Sequence, residues 1–301
     1  MINGIINVYK EKGYTSHDVV AKLRGILKQK KIGHTGTLDP DAEGVLPVCL
    51  GRGTKLCDML TDKDKTYRAV MKLGVVTDTQ DSSGKILEIK DTKALDENIV
   101  REAIIKFIGE YDQIPPMYSA LKVNGKKLYE LARQGIEVER KARRVYIYDI
   151  NIEEINLPFV TMTVKCSKGT YIRTLCHDIG ASLNVGACME KLTRTKVSMF
   201  DISESLKLSD IEVLRDENRL DEIIVRIEDV FGKYPKIVVK EKFAGLVYNG
   251  NPITSDNILS IENTETEGQK YRVYDYKKDF IGIYEKDDRG MYKVTKFFYE
   301  N

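Results

Sequence analysis

Two segments of this chain alternate apolar and polar residues, and they constrain its fold more than any other feature. One is TYRAVMKL, residues 66–73, and the other is VTMTVKC, residues 160–166. Side chains two positions apart point to the same face of a β-strand, so each segment predicts a strand with one buried face. Helical patterns lie between such segments without regular strand–helix alternation. The sequence therefore predicts an α+β fold.

Several helices are predicted from apolar positions three and four residues apart. The first, SHDVVAKLRGILKQKK, has Ser16 as its expected N-cap and ends in a basic cluster, Lys28–Lys31. DENIVREAIIKFIG is expected to be capped by Asp96 and ended by Gly109. Further helices are predicted after SKGTYIRT and in the segments SDIEVLRD and LDEIIVRIEDVFG.

Composition limits the class of protein. The 301 residues are 42% hydrophobic and 31% charged, which is typical of a soluble globular chain, and no apolar run approaches the ~18 residues of a membrane helix. The N-terminus does not resemble a signal peptide. Five cysteines without C-x-x-C spacing argue against a disulfide framework or a cysteine zinc site, and three histidines make a metal site unexpected. We therefore expect a cytoplasmic protein that binds no metal.

The residue pattern of the chain changes after Tyr234-Pro235. Several short strand patterns follow, which predicts a main domain over 1–234 and a small β-rich domain over 235–301. Residues 1–200 hold 32 Lys+Arg against 25 Asp+Glu (net +7), whereas residues 201–301 hold 16 against 21 (net −5). A basic body is consistent with a polyanionic partner, although ordinary solvated charge explains it equally well.

The stretch GHTGTLDP, residues 33–40, follows the first helix pattern and precedes an apolar run. It lacks the G-x-x-x-x-G-K-[ST] spacing of a phosphate-binding P-loop. From the residues alone, two interpretations stay open. The stretch is either a Gly/Pro turn in which the aspartate caps its own backbone, or a loop that presents Asp39 and His34 to a ligand.

In SKGTYIRT, Tyr171 and Arg173 come just after the second alternating strand, a common place for functional side chains. An arginine beside a carboxylate keeps it ionised and orients it through a planar fork. A surface arginine near a helix start is the alternative interpretation.

Residues 113–144 contain eight Lys/Arg against three Glu, with Tyr118 and Tyr129 among them. Basic residues interspersed with aromatics are typical of RNA-contacting surfaces. The initial Pro-Pro and the internal Gly125 and Gly135 indicate an excursion from the fold. A solvated charged helix remains the alternative.

Together these stretches resemble one family, the bacterial tRNA pseudouridine-55 synthases, stand-alone enzymes that act on the T arm. GHTGTLDPDAEGVLPV resembles the family's catalytic loop, and KTYRAVMKLGVVTDTQDSSG resembles its tyrosine motif. QIPPMYSALKVNGKKLYELARQGIEV resembles its RNA-gripping thumb, and VKCSKGTYIRTLCHDIGASL its arginine motif. FIGIYEKDDRGMYKVTKFF resembles part of a small PUA-type domain. The resemblance implies a catalytic domain with a mixed, mainly antiparallel sheet, flanking helices and a thumb at about 113–144, followed by a PUA-like β domain.

The resemblance also implies roles for particular residues. Asp39 matches the catalytic aspartate, Tyr67 the tyrosine that stacks on the target base, and Arg173 the arginine paired with the aspartate. Tyr171 matches a hydrogen-bonding neighbour of that arginine.

Further residues are expected to bind the substrate. His34 matches a histidine that helps to hold the T loop open, and Leu192 matches a leucine that lines the pocket. The family usually has Lys-Pro where this chain has Lys10-Glu11, so the charge is kept and the stiffness of that turn is not. The remaining expected tRNA contacts are Lys10, Lys122, Lys126, Lys127, Arg133, Arg140, Arg143, Arg144 and the Lys28–Lys31 cluster.

The implied reaction breaks the N1–C1′ bond of uridine 55 in the T loop, turns the base and rejoins it through C5. The product is an isomer, so no redox cofactor, metal or energy source is expected. The implied partner is tRNA, bound by a monomer that needs no other protein and no membrane. Two alternatives remain: a non-catalytic RNA-binding or tRNA-folding protein, and a guide-RNA-dependent pseudouridine synthase.

Overall fold

The computed structural model describes residues 1–123, 125–262 and 269–300. Asn124, in the predicted thumb, lies outside the described residues, as do 263–268 and 301 in the predicted C-terminal domain. In the part of the chain that is described, no helix has both the length and the apolar character needed to cross a membrane.

The elements of the described residues are numbered along the chain. The strands are β1 (Gly4–Lys10), β2 (Ile32–His34), β3 (Glu43–Leu50), β4 (Lys65–Leu73), β5 (Val75–Thr77), β6 (Ile86–Ile89), β7 (Gly109–Gln113), β8 (Lys122–Val123), β9 (Lys126–Lys127), β10 (Arg143–Asn156), β11 (Phe159–Cys166), β12 (Ala187–Val197), β13 (Phe200–Asp201), β14 (Ile224–Val225), β15 (Lys236–Val239), β16 (Ile258–Ile261), β17 (Lys270–Tyr274), β18 (Phe280–Lys286) and β19 (Tyr292–Phe297). The α-helices are α1 (Ser16–Ile26), α2 (Cys57–Thr61), α3 (Glu97–Ile105), α4 (Leu128–Arg133), α5 (Ile172–Ser182), α6 (Leu208–Asp216) and α7 (Ala244–Tyr248). Short 3-10 helices occupy Gly51–Leu56, Ile202–Glu204, Leu220–Glu222, Ile227–Phe231, Glu241–Phe243 and Ser255–Asn257.

The main sheet has the strand order β14-β1-β3-β12-β4-β11-β10-β7, with β2 added to β3 and β13 added to β12. Its neighbouring strands are antiparallel except β3 and β12, which run parallel where Arg194 aligns with Gly44. The predicted α+β class and the mixed, mainly antiparallel sheet are confirmed.

The two alternating segments form β4 and β11, which are antiparallel neighbours in this sheet. The predicted apolar face of β4, with Tyr67, Ala69, Met71 and Leu73, is buried. It belongs to a cluster that also contains residues of α3 and α5. A side-chain period of two therefore places one whole face of the central strands in the core, where it forms the floor of the site described below.

A second sheet of the described residues has the order β16-β15-β17-β18-β19 and its own buried cluster. It contacts the main body through another cluster, in which Ile283 and Phe298 pack with Ile5 and Val45. The C-terminal β region is thus a separate sheet that shares a core with the rest of the molecule. The boundary at 234 stays a prediction.

The prediction that Ser16 caps α1 was wrong. Thr15 is the N-cap, and its Oγ1 accepts a hydrogen bond of 3.1 Å from the backbone N–H of Asp18. The Asp18 carboxylate accepts in return from the Thr15 N–H at 2.8 Å, which completes a capping box. Ser16 is buried, and its hydroxyl instead accepts a hydrogen bond from the N–H of Leu38.

The single helix predicted for LDEIIVRIEDVFG was also wrong. Ile224 and Val225 form β14, which pairs with Ile6 and Ile5 at the edge of β1, and 3-10 turns flank it. The edge of β1 offers unpaired backbone groups, and β-branched residues suit a strand, so tertiary pairing overrides the helical pattern.

The helix predicted from DENIVREAIIKFIG is α3, and Asp96 caps it as expected by accepting from the N–H of Ile99 at 2.9 Å. The helix ends earlier than predicted, at Ile105 with Lys106 as its C-cap. Gly109 instead begins β7 with a φ of 109°, a conformation that glycine adopts without strain.

Candidate active site

The GHTGTLDP loop (residues 33–40) connects β2 to β3 and is held in place on both sides of Asp39. On the N-terminal side of Asp39, the N–H of Leu38 donates to Ser16 Oγ at 2.9 Å. On its C-terminal side, the buried Lys10 Nζ donates to the carbonyls of Pro40 at 3.0 Å and Ala42 at 2.6 Å. These anchors belong to α1 and β1, so the main body of the protein determines where the loop lies.

Asp39 is paired with Arg173, as the sequence predicts. Arg173 Nε lies 2.9 Å from Asp39 Oδ2, and Nη2 donates to Oδ1 at 3.3 Å. Arg173 lies in the first turn of α5 and is buried, with its other N–H groups bound to the carbonyls of Thr79 at 2.9 Å and Tyr118 at 2.8 Å. The planar fork therefore orients the carboxylate and is itself fixed at both ends.

A second carboxylate, which the sequence interpretation missed, lies on the same guanidinium. Asp81 Oδ2 is 3.6 Å from Arg173 Nη1. Its Oδ1 accepts from Thr79 Oγ1 at 2.7 Å and from the N–H of Ser83 at 3.1 Å. The polar run TDTQDSSG between two strands was the available signal, but only the fold brings it to Arg173.

The environment of Asp39 has opposing effects on its acidity. Partial removal from water raises the pKa of Asp39, and the carboxylate of Asp81 adds to the rise, while Arg173 and Lys10 lower it. The net effect is a raised pKa, and Arg173 is the main group that favours the ionised form. The Asp39 side chain is 41% exposed. The arrangement offers an oriented carboxylate at an open position.

The floor next to Asp39 is formed by β4 and its neighbour β12. Tyr67 is 8% exposed and Leu192 is 9% exposed, and both belong to the cluster that contains Leu38 of the GHTGTLDP loop. In the β4–β12 register, Tyr67 is the cross-strand partner of Arg194. Arg194 was not predicted as a site residue, yet it is 1% exposed and bound to the same loop through the carbonyl of Gly36, at 3.2 Å.

His34 ends β2 at the start of the loop and is half-buried. Its Nδ1 accepts from the N–H of Gly36 at 3.2 Å, and its ring meets that of His17 edge-to-face with centroids 5.3 Å apart. Burial, with contributions from His17 and Arg194, lowers the pKa of His34 to about 4. The imidazole is therefore neutral at physiological pH and offers a ring and a hydrogen bond, not a charge.

Tyr171 precedes α5 and is tied to the thumb by a residue that the sequence interpretation did not consider. The buried Gln113 donates from Nε2 to the Tyr171 carbonyl at 3.0 Å and accepts at Oε1 from its N–H at 2.8 Å. Gln113 is the last residue of β7, where the thumb begins. The base of the thumb and the loop that carries Arg173 are therefore joined.

The thumb (residues 113–144) leaves the main sheet where Gln113 pairs with Arg143, at the edge formed by β7 and β10. It contains the paired strands β8 and β9 and the helix α4, so these residues form an excursion from the main sheet, as the sequence predicts. Lys122 and Lys126 are exposed. Lys127 and Arg133 both lie over the ring of Tyr129, and each charged group is 5.4 Å from the ring centroid.

Four residues that were predicted to contact tRNA make contacts within the protein. Arg140 donates to the carbonyl of Pro115 at 3.2 Å and to the carboxylate of Glu137 at 3.1 Å. The Arg144 guanidinium binds Asp112 through two hydrogen bonds of 3.1 Å. Lys31 pairs with Glu300 at 3.3 Å. Lys10 is fully buried, and its burial lowers its pKa to about 8. Among the described residues, no three His, Cys, Asp or Glu side chains lie together in a metal-binding arrangement.

The fold is shared with chains of two solved assemblies. The chain resembles one in a structure of an H/ACA RNP bound to a substrate RNA containing 2′-deoxyuridine, with a TM-score of 0.73 and 25% identity over 99% of this chain and 85% of that one. It also resembles a chain in a Cbf5–Nop10–Gar1 complex, with a TM-score of 0.73 and 27% identity over 98% and 85%. The architecture is therefore one that is found in an RNA-bound assembly.

Sequence comparison identifies the family. Residues 24–172 match the N-terminal domain of the TruB family of pseudouridylate synthases, and residues 173–231 match a tRNA pseudouridylate synthase B C-terminal domain. The tRNA pseudouridine synthase B of Lachnoclostridium phytofermentans is 52% identical over 99% of this chain and 100% of the relative. That of Clostridium acetobutylicum is 46% identical over 98% and 99%. This chain belongs to the TruB pseudouridylate synthase family.

Proposed function

We propose that this protein isomerises the uridine at position 55 in the T loop of tRNA to pseudouridine. The observation that carries the proposal is the Asp39 carboxylate, which is held by Arg173 at 2.9 Å and left 41% exposed. Its neighbour Leu38 belongs to the buried cluster that contains Tyr67 and Leu192. The name of the relatives at 46% and 52% identity, tRNA pseudouridine synthase B, supports the same substrate and reaction.

A stacked uracil cannot be turned, so the base must leave the T loop and enter the pocket. Extruding a base costs roughly a few kcal/mol, and stacking on an aromatic ring recovers on the order of 1–3 kcal/mol. Tyr67 supplies that ring and Leu192 the apolar wall. His34, neutral and near the mouth, occupies the space that the base leaves.

Asp39 acts on the ribose side of the glycosidic bond, either by attacking C1′ or by taking a ribose proton. Both routes need the anion, which Arg173 favours against the effect of burial. The N1–C1′ bond breaks, the C5–C1′ bond forms, C5 loses its proton and N1 gains one. Tyr67 is the aromatic hydroxyl beside the pocket, and we propose that its oxygen takes up the C5 proton while its own hydroxyl proton passes to solvent.

Affinity is assigned to the thumb and specificity to the shape of the T loop. Exposed lysines such as Lys122 and Lys126 suit phosphate contacts, which release counterions and make binding sensitive to salt. RNA loops are generally recognised through shape and extruded bases.

We also propose that the enzyme works alone, as a cytoplasmic monomer, and that its chain divides into two domains near residue 234. A thumb within the chain supports self-sufficiency. The five cysteines are free, which is consistent with a reducing compartment. The separate C-terminal sheet supports the division.

Tritium release from unmodified tRNA carrying [5-³H]uridine, with no other protein or RNA added, tests the proposed function. We expect release by the native chain and none by Asp39→Asn, with similar tRNA binding by both. The matched control is Asp41→Asn, an exposed aspartate two positions away whose change leaves the rate within ~3-fold. Release by Asp39→Asn would show that Asp39 is not the catalytic residue.

The likeness to a chain of an H/ACA RNP favours one second candidate, a guide-RNA-dependent synthase. It predicts tRNA binding without release until a guide RNA and partner proteins are supplied. A non-catalytic RNA-binding protein predicts binding without release under any of these conditions.

A further inference from the structure

Arg194 is a buried cation whose purpose the pairing of Asp39 with Arg173 does not explain. It lies on β12 in the middle of the main sheet and is 1% exposed. Within the described ranges, no carboxylate lies within ion-pair distance of its guanidinium. Burying a charge in this way is unfavourable unless its N–H groups are bound, so its contacts indicate what it is there to hold.

The guanidinium of Arg194 connects three parts of the site. Its Nε donates to the carbonyl of Val45 on β3 at 2.7 Å, and its Nη2 donates to the carbonyl of Gly36 in the GHTGTLDP loop at 3.2 Å. Its cross-strand partner on β4 is Tyr67, and the guanidinium lies close enough to the Tyr67 hydroxyl to oppose the rise that burial causes in the pKa of that group. One side chain thus links the loop that carries Asp39 to the tyrosine of the pocket.

The backbone around Arg194 is shaped to allow this contact. A Cβ added at Gly44 would lie 2.3 Å from the Arg194 carbonyl oxygen, so only glycine permits the close parallel pairing of β3 and β12 there. A Cβ at Gly36 would lie 3.7 Å from Arg194 Nη1, so the loop passes directly over the guanidinium. Arginine has five N–H donors in a rigid fork, and a lysine ammonium cannot reproduce that geometry.

The charges around the Arg194–Tyr67 contact are also informative. Tyr67 faces Arg194, Cys166 of β11 and Asp39 of the loop. Burial raises the pKa of Tyr67, and Arg194 opposes that rise. Lys10, His34 and Lys65 also lie near enough for the charge of Arg194 to lower their pKa values, and all three are basic groups.

We propose that Arg194 is a positioning residue for the isomerisation, which holds the Tyr67 hydroxyl at a fixed place relative to the loop that carries Asp39. This inference rests on the proposed function and deepens it. The Arg194 guanidinium also stabilises negative charge that develops on the Tyr67 oxygen while the hydroxyl proton leaves and the C5 proton of the rejoined base is taken up. Arg194 does not touch the reacting atoms and acts through Tyr67.

The test is a double-variant comparison on tRNA. Single-turnover rates and tRNA dissociation constants are measured for the native chain, Arg194→Met and Arg194→Lys, each with and without Tyr67→Phe. We expect Arg194→Met to slow the reaction by about 100-fold and Arg194→Lys by less, with binding within ~3-fold for both. In the Tyr67→Phe background, which keeps the ring but lacks the hydroxyl, either change should cost under ~3-fold.

Effects of Arg194 and Tyr67 that multiply independently would overturn the proposal, as would a loss of binding equal to the loss of rate. If Arg194→Met does not fold, the Arg194→Lys pair with and without Tyr67→Phe gives the same comparison. Thermal melting of every variant sets a temperature at which all are folded.

If the native chain itself is inactive, the proposed function fails and the link is tested separately. The chain is labelled with tyrosine carrying ¹³C at the hydroxyl-bearing carbon, and the Tyr67 resonance is assigned with Tyr67→Phe. We expect that resonance to shift in Arg194→Lys and to stay unchanged in Arg68→Lys, a substitution of an exposed arginine next to Tyr67 on β4. An unshifted Tyr67 resonance in Arg194→Lys overturns the contact.

Discussion

The cations of the site floor and those of the thumb are the same residue types in opposite situations. Arg173 and Arg194 are 4% and 1% exposed, and their N–H groups are bound to a carboxylate or to carbonyls of the protein. Lys122 and Lys126 are exposed on a small hairpin. A buried arginine with fixed partners determines geometry, whereas an exposed lysine contributes charge. The difference separates the groups expected to control rate from those expected to control affinity.

Arg144 and Lys10 show that residue type alone does not decide which role a cation has. Both were predicted to bind tRNA, and both are engaged within the protein. Arg144 binds Asp112 across the β7–β10 edge, and Lys10 binds the backbone after Asp39. If buried cations control the rate and exposed cations the affinity, substitutions at the two kinds of position should change different measured quantities.

The largest effect is expected for Arg173→Lys. An ammonium cannot bind Asp39 through a fork and also reach the carbonyls of Thr79 and Tyr118, so the carboxylate loses its orientation. Single-turnover rates should fall by about 10²–10³, with the tRNA dissociation constant within ~3-fold. A variant that keeps the rate but loses tRNA binding would group Arg173 with the thumb cations. That result would contradict the assignment of buried cations to the control of rate.

Replacing Lys122, Lys126 and Lys127 together with alanine should have the opposite signature. Affinity should fall by about 10-fold or more near physiological salt, and the slope of log affinity against log salt should decrease by up to ~3. The rate at saturating tRNA should stay within ~3-fold. Filter binding across a salt series measures this, and the alanine triple of Lys85, Lys90 and Lys93, exposed outside the thumb, is the matched control. An equal loss of affinity in the control would show that the effect depends on net charge alone and not on the position of the lysines.

Gln113→Ala tests the hydrogen bonds that join the base of the thumb to the loop that carries Arg173. It leaves the N–H and carbonyl of Tyr171 without partners, which should lower the free energy of unfolding by about 1–3 kcal/mol. Urea unfolding measures the change, and Gln134→Ala, the same change at an exposed thumb position, should have little effect. An unchanged stability of Gln113→Ala would mean that water replaces the side chain and that the joint is weaker than its distances indicate.

The smallest effect is expected from His34 and concerns pH. The folded state lowers the pKa of His34 to about 4 from its ordinary 6.5, so the protein favours the neutral ring. The resulting stability is fully present above pH 6.5 and is lost as pH falls from there through 4. His34→Gln should therefore lose less stability over that interval, by on the order of 1 kcal/mol, in urea unfolding at a series of pH values. A difference in the free energy of unfolding between native chain and variant that is the same at every pH would contradict this account.

Local patterns in the sequence were sufficient for the parts of the fold that depend on local geometry. The period-two apolar positions of 66–73 and 160–166 became the buried faces of β4 and β11, and Asp96 caps α3 as predicted. The pairing of Asp39 with Arg173 followed from resemblance to a family, and the structure brings the two together. The roles of these residues in catalysis stay predictions.

The tertiary structure decided whatever depends on partners distant in the chain. The unpaired edge of β1 drew Ile224 and Val225 into the sheet against their helical pattern. Arg194 and Val45 are 149 positions apart, and no spacing rule connects them. A strand face or a helix cap is determined within a few residues by backbone geometry, whereas the role of a buried cation depends on which carbonyls and carboxylates the completed fold brings to it.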